Sequence, residues 1–441
     1  MKKCGLQESI FRRLILVGMA GGLLLTSGNI SAENWSYSDC AEYARTHNIS
    51  LRQSLLSEIL ADTDLEESKA AWQPSLDFST SHGYTNSPWG YVKNRYSSAY
   101  GFNAGWTAWD GGIRTNTIKR NELSAKASRY ATSDIMRTLE TDLLQIYLNI
   151  LYATESISIY EEASALSKAQ MDRAKALMDA GRLSRVDYTQ LKAQHEQDNY
   201  SLVDAQSTRA LRIMELKKIL QLGIKNNIEP SPLNWADIQL DTPLPSMEES
   251  FALAKETDMR LRQLELSKEI SDYDLKIAKA GKMPRISVDA GVSTGYSAPG
   301  GSFGTGLQQG LNENIGLTLA LPIFDNGKTK GAVARANVAR LNADLDLQER
   351  NLELAQIVEN WYVDTNSARS RYTAAVSQLE SAKIASELTN EQFRLGMVNT
   401  IELMTAHRDL TEASHSLLQA KYMALLGEKM IGFYRTGLIK L

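Results

Sequence analysis

The sequence predicts an α+β membrane protein in which short antiparallel strands join a β-barrel shared between copies, and long α-helices continue from those strands. Three observations lead there. The chain opens with an export leader and then offers no apolar run near the roughly 20 residues of a membrane-spanning helix. It is written twice. Each copy also holds two alternating stretches beside a helical stretch far longer than an ordinary globular helix.

Lys2, Lys3, Arg12 and Arg13 make a basic start before an apolar stretch from Leu14 to Leu25, and Ser31-Ala32 offer small residues for cleavage before Glu33. That is the pattern of a secretory signal peptide over residues 1–32. Its loss removes four basic residues and one acidic residue, so the formal charge moves from −4 to −7. An acidic balance gives no electrostatic reason to expect nucleic acid as a partner. Cys40 is then the one cysteine left. It cannot form an intrachain disulfide, and it reads as a small buried apolar residue.

Duplication organises the rest. Leu51-Arg52-Gln53 returns as Leu261-Arg262-Gln263, and Pro74 as Pro284, at an offset of 210. Asp110-Gly111-Gly112 returns as Asp325-Asn326-Gly327, and Gly181 as Gly396, at an offset of 215. The first repeat is expected over 33–221, with a strand pair at about 75–109, a long helix at 114–179, a tip turn at 181–184 and a return helix. A linker with Pro230, Pro232, Pro243 and Pro245 covers 222–245. The second repeat is expected over 246–441, with a strand pair at about 285–323, a long helix at 328–395, a tip turn at 396–399 and a return helix.

Leu76 and Phe78 alternate with Ser75, Asp77 and Ser79, while Tyr100, Phe102, Ala104, Trp106 and Ala108 alternate with small or polar residues. Ile286, Val288, Ala290 and Val292 do the same, as do Ile315, Leu317, Leu319, Leu321 and Ile323. One apolar face and one small, polar face suit strands set between lipid and a wet interior. Tyr100, Trp106 and Trp109 are expected at the membrane interface. From Arg114 to Asp179 there are 66 residues without Pro or Gly, about 100 Å of helix at 1.5 Å per residue. Ile135, Leu139, Leu143, Ile146 and Ile150 follow the three/four spacing of a packed seam. Four strands cannot close a membrane barrel, for which about eight is the small end, and lone hairpins in lipid would leave unsatisfied edges. Two copies would supply eight strands and three would supply twelve.

Other motifs point to no chemistry. Gly291-Val292-Ser293-Thr294-Gly295 has the letters of a hydrolase nucleophile elbow, but Ser293 continues an alternating strand rather than a strand-to-helix turn. The glycines from Gly300 to Gly310 fit a hairpin loop. His47, His82, His195, His407 and His415 include no i,i+4 ligand pair. No metal or cofactor is expected, and the chain is not read as an enzyme.

Trp35-Ser36-Tyr37-Ser38-Asp39-Cys40-Ala41, followed by His47-Asn48, resembles the first helix of TolC-family outer-membrane efflux proteins. Gly105 to Gly112 and Leu319 to Gly327 resemble that family's strand-to-helix motif, with Asp110, Gly112, Asp325 and Gly327 at the turns. Gly181 to Leu191 and Gly396 to Ala406 resemble its two helical tips. The resemblance implies a homotrimer with a twelve-stranded barrel in the outer membrane and a periplasmic α-helical barrel. It implies an exit duct for efflux or type I secretion, docked by a periplasmic adaptor (membrane fusion) protein and an inner-membrane pump of the RND or ABC type. It also places Glu402 and Thr405 at the periplasmic entrance, with Asp187 as a further candidate there. Gly181, Arg182, Leu183, Ser184 and Arg185, with Gly396, Met397, Val398 and Asn399, become the tip and docking residues. Thr405 stands where the family has an acid, and Met397-Val398-Asn399 lacks the family's arginine. A local reading competes at the tips, because Ser184/Asp187 and Asn399/Glu402 have the spacing of a helix N-cap and its N3 acid. A competing whole-chain reading is a periplasm-spanning coiled coil without a pore.

Overall fold

The computed structural model describes residues 33–441 apart from 87, 90–93, 236–237, 239, 241, 299–301 and 440. The expected leader at 1–32, and Gly300 and Gly301, lie outside the described residues. The strands are β1 (Glu33–Trp35), β2 (Ser75–Asn86), β3 (Asn94–Trp109), β4 (Ile228–Pro230), β5 (Arg285–Ser297) and β6 (Asn312–Ala320). The helices are α1 (Tyr37–His47), α2 (Ile49–Ala70), α3 (Ile113–Asp179), α4 (Arg185–Ile219), α5 (Met247–Thr257), α6 (Met259–Ala280), α7 (Phe303–Gln309), α8 (Lys328–Leu395) and α9 (Thr400–Thr436). The chain divides into two units: residues 56–131 with 260–349, and residues up to 55 with 132–259 and 350–441.

The first unit is built on an antiparallel sheet in the order β2-β3-β5-β6, so that a hairpin from each repeat lies side by side and the outer edges of β2 and β6 are unpaired among the described strands. Register puts Phe78 opposite Phe102, Phe102 opposite Val292, Val288 opposite Leu317 and Ile286 opposite Leu319. Because cross-strand partners share a face, these residues build one apolar surface. It is exposed: Leu76, Phe78, Phe102, Ile315, Leu317 and Leu319 are all open. The opposite surface carries Gly101, Asn103, Gly105, Asp289, Gly291, Ser293, Asn314 and Gly316, small and polar throughout.

Two departures from simple alternation have local causes. A β-bulge between Thr107 and Trp109 leaves Ala108 unpaired and sets Trp109 opposite Ile286. The extra residue carries Trp109 onto the apolar face with Trp106, where uninterrupted alternation would have put Ala108. At the same end of the sheet, β6 stops at Ala320, so Leu321 and Ile323 are exposed but not in the strand. Pro322 has no N–H for the ladder, which accounts for the early stop. The glycine-bearing loop expected before β6 also holds a short helix, α7, capped by Ser302.

Asp110 and Asp325 turn strand into helix in the same way. Asp110 accepts from the Gly112 amide at 3.2 Å and the Arg114 amide at 3.0 Å. Asp325 accepts from Gly327 at 3.1 Å and Thr329 at 2.8 Å. Those bonds hold the Asp325 carboxyl below the ordinary carboxylate range, the Thr329 contribution leading. Gly112 and Gly327 take positive φ of 88° and 77°, which glycine adopts without a side-chain penalty.

The second unit is helical. Leu143, Leu144, Tyr147 and Ile150 of α3 are fully buried with Cys40 of α1, Leu216 of α4 and Leu425 of α9. Of the expected seam, Leu139, Leu143 and Ile150 are buried, while Ile135 and Ile146 are half-buried at its margin. The linker is tied down by polar anchors. β1 pairs in parallel with β4, and Tyr147 donates to the Ser231 carbonyl at 2.8 Å. Glu155 accepts from Trp235 at 3.0 Å and Tyr422 at 2.6 Å, while the Lys421 ammonium sits 3.5 Å above the Trp235 ring.

Candidate functional site

In the helical unit the two tip turns share one construction. After α3, the Arg182 amide donates to the Leu177 carbonyl at 2.8 Å and the Gly181 amide to Met178 at 2.9 Å. After α8, the Met397 amide donates to Gln392 at 2.9 Å and the Gly396 amide to Phe393 at 3.0 Å. This is the Schellman ending, and it needs a left-handed residue. Gly181 and Gly396 supply it, with φ of 71° and 76°. Two residues later Leu183 and Val398 turn inward onto an apolar cluster of Ala174, Leu191, Phe393 and Leu403. That cluster draws on α3, α4, α8 and α9, so it brings the two predicted tips together.

The next helix in each half starts with a cap. Ser184 Oγ accepts from the Asp187 amide at 3.1 Å and donates to the Asp187 carboxylate at 2.7 Å. Asn399 Oδ1 accepts from the Glu402 amide at 2.9 Å, and Asn399 Nδ2 donates to Glu402 Oε1 at 2.9 Å. Both acids therefore have a capping partner. Glu402 is nevertheless exposed, as are Arg182, Arg185 and Met397, while Thr405 is half-buried. A carboxylate at the first turn of a helix is also stabilised by the positive end of the helix dipole.

Arg394, two residues before Gly396, is a tip cation that the sequence reading passed over. It pairs with Glu391, and the charge-assisted hydrogen bonds push the Glu391 carboxyl down and the Arg394 guanidinium up. Further along α4 and α9 lies a second missed feature. His407 Nε2 is 2.9 Å from Asp198 Oδ2, with the His407 side chain 1% and the Asp198 side chain 10% exposed. Gln194 donates to the other Asp198 oxygen at 2.9 Å. Thr400, Leu403 and His407 form one buried stripe of α9, so helical spacing in the sequence was the available signal.

In the sheet unit, the three aromatics expected at a membrane interface lie on the apolar face. Tyr100 stands opposite Thr294, Trp106 opposite Val288 and Trp109 opposite Ile286. Trp106 Nε1 donates to the Trp72 carbonyl at 3.0 Å, so its polar edge is satisfied while the ring stays half-exposed. At the far end of the same face are Tyr84, Tyr96 and Tyr296. Tryptophans at the helix end and tyrosines at the loop end bracket the aliphatic band, the distribution of a lipid-facing barrel wall. Among the described residues no helix is long and apolar enough to cross a membrane. Among them no group of three or more His, Cys, Asp or Glu is placed to hold a metal ion.

Comparison with known proteins matches residues 41–220 and 251–428 to the family model described as outer membrane efflux protein. The outer membrane protein TolC of Escherichia coli is 22% identical over 88% of this chain and 79% of its own. In fold, the Campylobacter jejuni CmeC outer membrane channel superposes with a TM-score of 0.80 at 17% identity, over 91% of this chain and 86% of that one. The CusC channel superposes with a TM-score of 0.79 at 17% identity, over 93% and 94%.

Proposed function

The chain belongs to the outer membrane efflux protein family, and from that premise we propose that three copies close a twelve-stranded barrel and conduct cargo passively through its lumen. The protein is a TolC-like exit duct of the outer membrane. The observation that carries the proposal is the open four-stranded sheet, with one largely apolar face and two edges unpaired among the described strands. In lipid every backbone polar group needs a partner, and only closure supplies it. Four strands are too few, so closure requires β6 of one copy to pair with β2 of the next. Exposed Tyr200, Val203, Leu211 and Met214 on α4 give the helical unit an apolar stripe that further copies would cover. The pore-free reading leaves both the sheet edges and its apolar face without a role.

The chain itself supplies no energy in this scheme. An inner-membrane pump would drive cargo, and an adaptor would dock at the two turns, 181–185 and 396–399. Three copies of Glu402 would ring the entrance, with Thr405 beside it and Asp187 on the neighbouring turn. Capping and gating are compatible in Glu402, because the cap engages one carboxylate oxygen and leaves the other to solvent. Reconstituted in a planar bilayer, the Glu402→Gln channel is expected to lose cation preference and keep its conductance. Unchanged selectivity would leave Glu402 as a cap alone. Native mass in detergent tests the assembly: three chains per particle are expected, and a monomer would overturn the shared barrel.

A further inference from the structure

The outward face of the sheet is apolar or aromatic along most of its length, and among the described strand residues it carries two ionisable side chains other than tyrosine. They are His82 on β2, opposite Ser98, and Glu313 on β6, opposite Val292. A charged side chain on a lipid-facing wall is unfavourable unless it is paired. Glu313 is exposed and has no hydrogen-bond or ion-pair partner among the described residues.

Their positions are informative. The two strands with free edges are β2 and β6, and each holds one of the two groups. Each group stands seven residues in from the helix-proximal end of its strand, His82 from Ser75 and Glu313 from Ala320. Both lie on the same face, which register fixes through Phe78, Phe102 and Val292. His82 is also oriented. Its Nδ1 is 2.8 Å from Tyr96 Oη, and its ring meets Tyr100 edge-on with centroids 5.4 Å apart. With the tyrosine hydroxyl donating to Nδ1, the imidazole proton resides on Nε2, near Thr80 Oγ1 at 3.3 Å and available to a stronger acceptor.

We propose that Glu313 of one copy accepts a charge-assisted hydrogen bond from the partner's His82 across the seam between copies. The proposal rests on the ring of copies inferred above. It assigns that seam a polar key, since sliding β2 along β6 by the two residues that keep the same face would set Glu313 against Thr80 or Tyr84, neither of them a cation, instead. Opposite charges directly or diagonally across two strands are within reach of such side chains.

The test uses the full chain carrying Cys40→Ala, produced in outer membranes, with His82→Cys and Glu313→Cys singly and together. A short bis-methanethiosulfonate reagent is expected to give covalent dimers and trimers in the double variant and monomers in each single one. Particles of three chains without that ladder would overturn the pairing and leave the ring intact. A monomeric native mass would instead sink the ring itself. As a second readout, His82→Gln and Glu313→Gln are each expected to lower the temperature at which the assembly dissociates in detergent. The exchange His82→Glu with Glu313→His is expected to restore it. Wild-type dissociation in all three variants would show that Glu313 is merely solvated at the lipid headgroups and would also overturn the proposal.

Discussion

Asn399 binds both the amide and the carboxylate of Glu402, so one residue sets the start of α9 and the aim of the acid. Asn399→Ala is expected to cost about 1 kcal/mol and to raise amide exchange in the first turn of α9. Gly396→Ala has no steric obstacle, with nothing within 4 Å of the added carbon, so its cost is conformational, about 1 kcal/mol, read as a lower unfolding midpoint. The buried pair is more sensitive. Asp198→Ala strands the His407 imidazole, and a buried group left without a partner costs about 1–3 kcal/mol. Exchange should then rise around residue 407 and spread to the tip cluster. His415 offers a pH test, since burial pushes its imidazole below the usual value. The unfolded chain then binds more protons, so this contribution is complete above about pH 6.5 and is lost as the pH falls below it. Denaturant midpoints should therefore decline on acidification, and His415→Gln should flatten that decline.

Among the elements, the bulge at Ala108 decides where Trp109 points. Deleting Ala108 is expected to remove the bulge and leave Trp109 directly after Thr107, opposite Ile286 and still on the apolar face. Fluorescence quenching by brominated lipid should therefore persist in a variant with Trp109 as its reporting tryptophan. Much at this scale was legible in the sequence. Period-two alternation identified the strand faces, and the gap between glycines bounded α3 to within a residue at Ile113 and Asp179. The bulge was not legible, because alternation counts residues and says nothing of which one is left unpaired. Nor was α7, whose glycine-rich residues read as loop until Ser302 is seen capping them. The His407–Asp198 pair joins positions more than two hundred apart, and no local pattern in either helix names the other. Arg394 carries no distinctive signal, because it stands on the helix before the turn and an acid three residues earlier is common on any solvated helix face.

At the scale of the whole molecule, duplication and closure are two sides of one arrangement. Each repeat contributes a hairpin, and β3 of the first pairs with β5 of the second along nearly its full length. Within one chain that junction is internal, whereas in the proposed closure the junction from β6 to β2 comes from another copy. Assembly should therefore depend on concentration, and dilution of freshly extracted monomer should slow recovery of three-chain particles more steeply than in proportion. Light scattering after dilution would measure it. Kinetics independent of concentration would mean that the sheet closes within one chain.

The pairing of Ser97 with Ser297 also bears on biogenesis. Until export has delivered the chain beyond Ser297, the first hairpin has an apolar face and two bare rims. Translocation speed thus sets how long an aggregation-prone intermediate persists. A stall between the two repeats would lengthen that interval, so the yield of the finished duct should depend on a holding chaperone that shields the early hairpin.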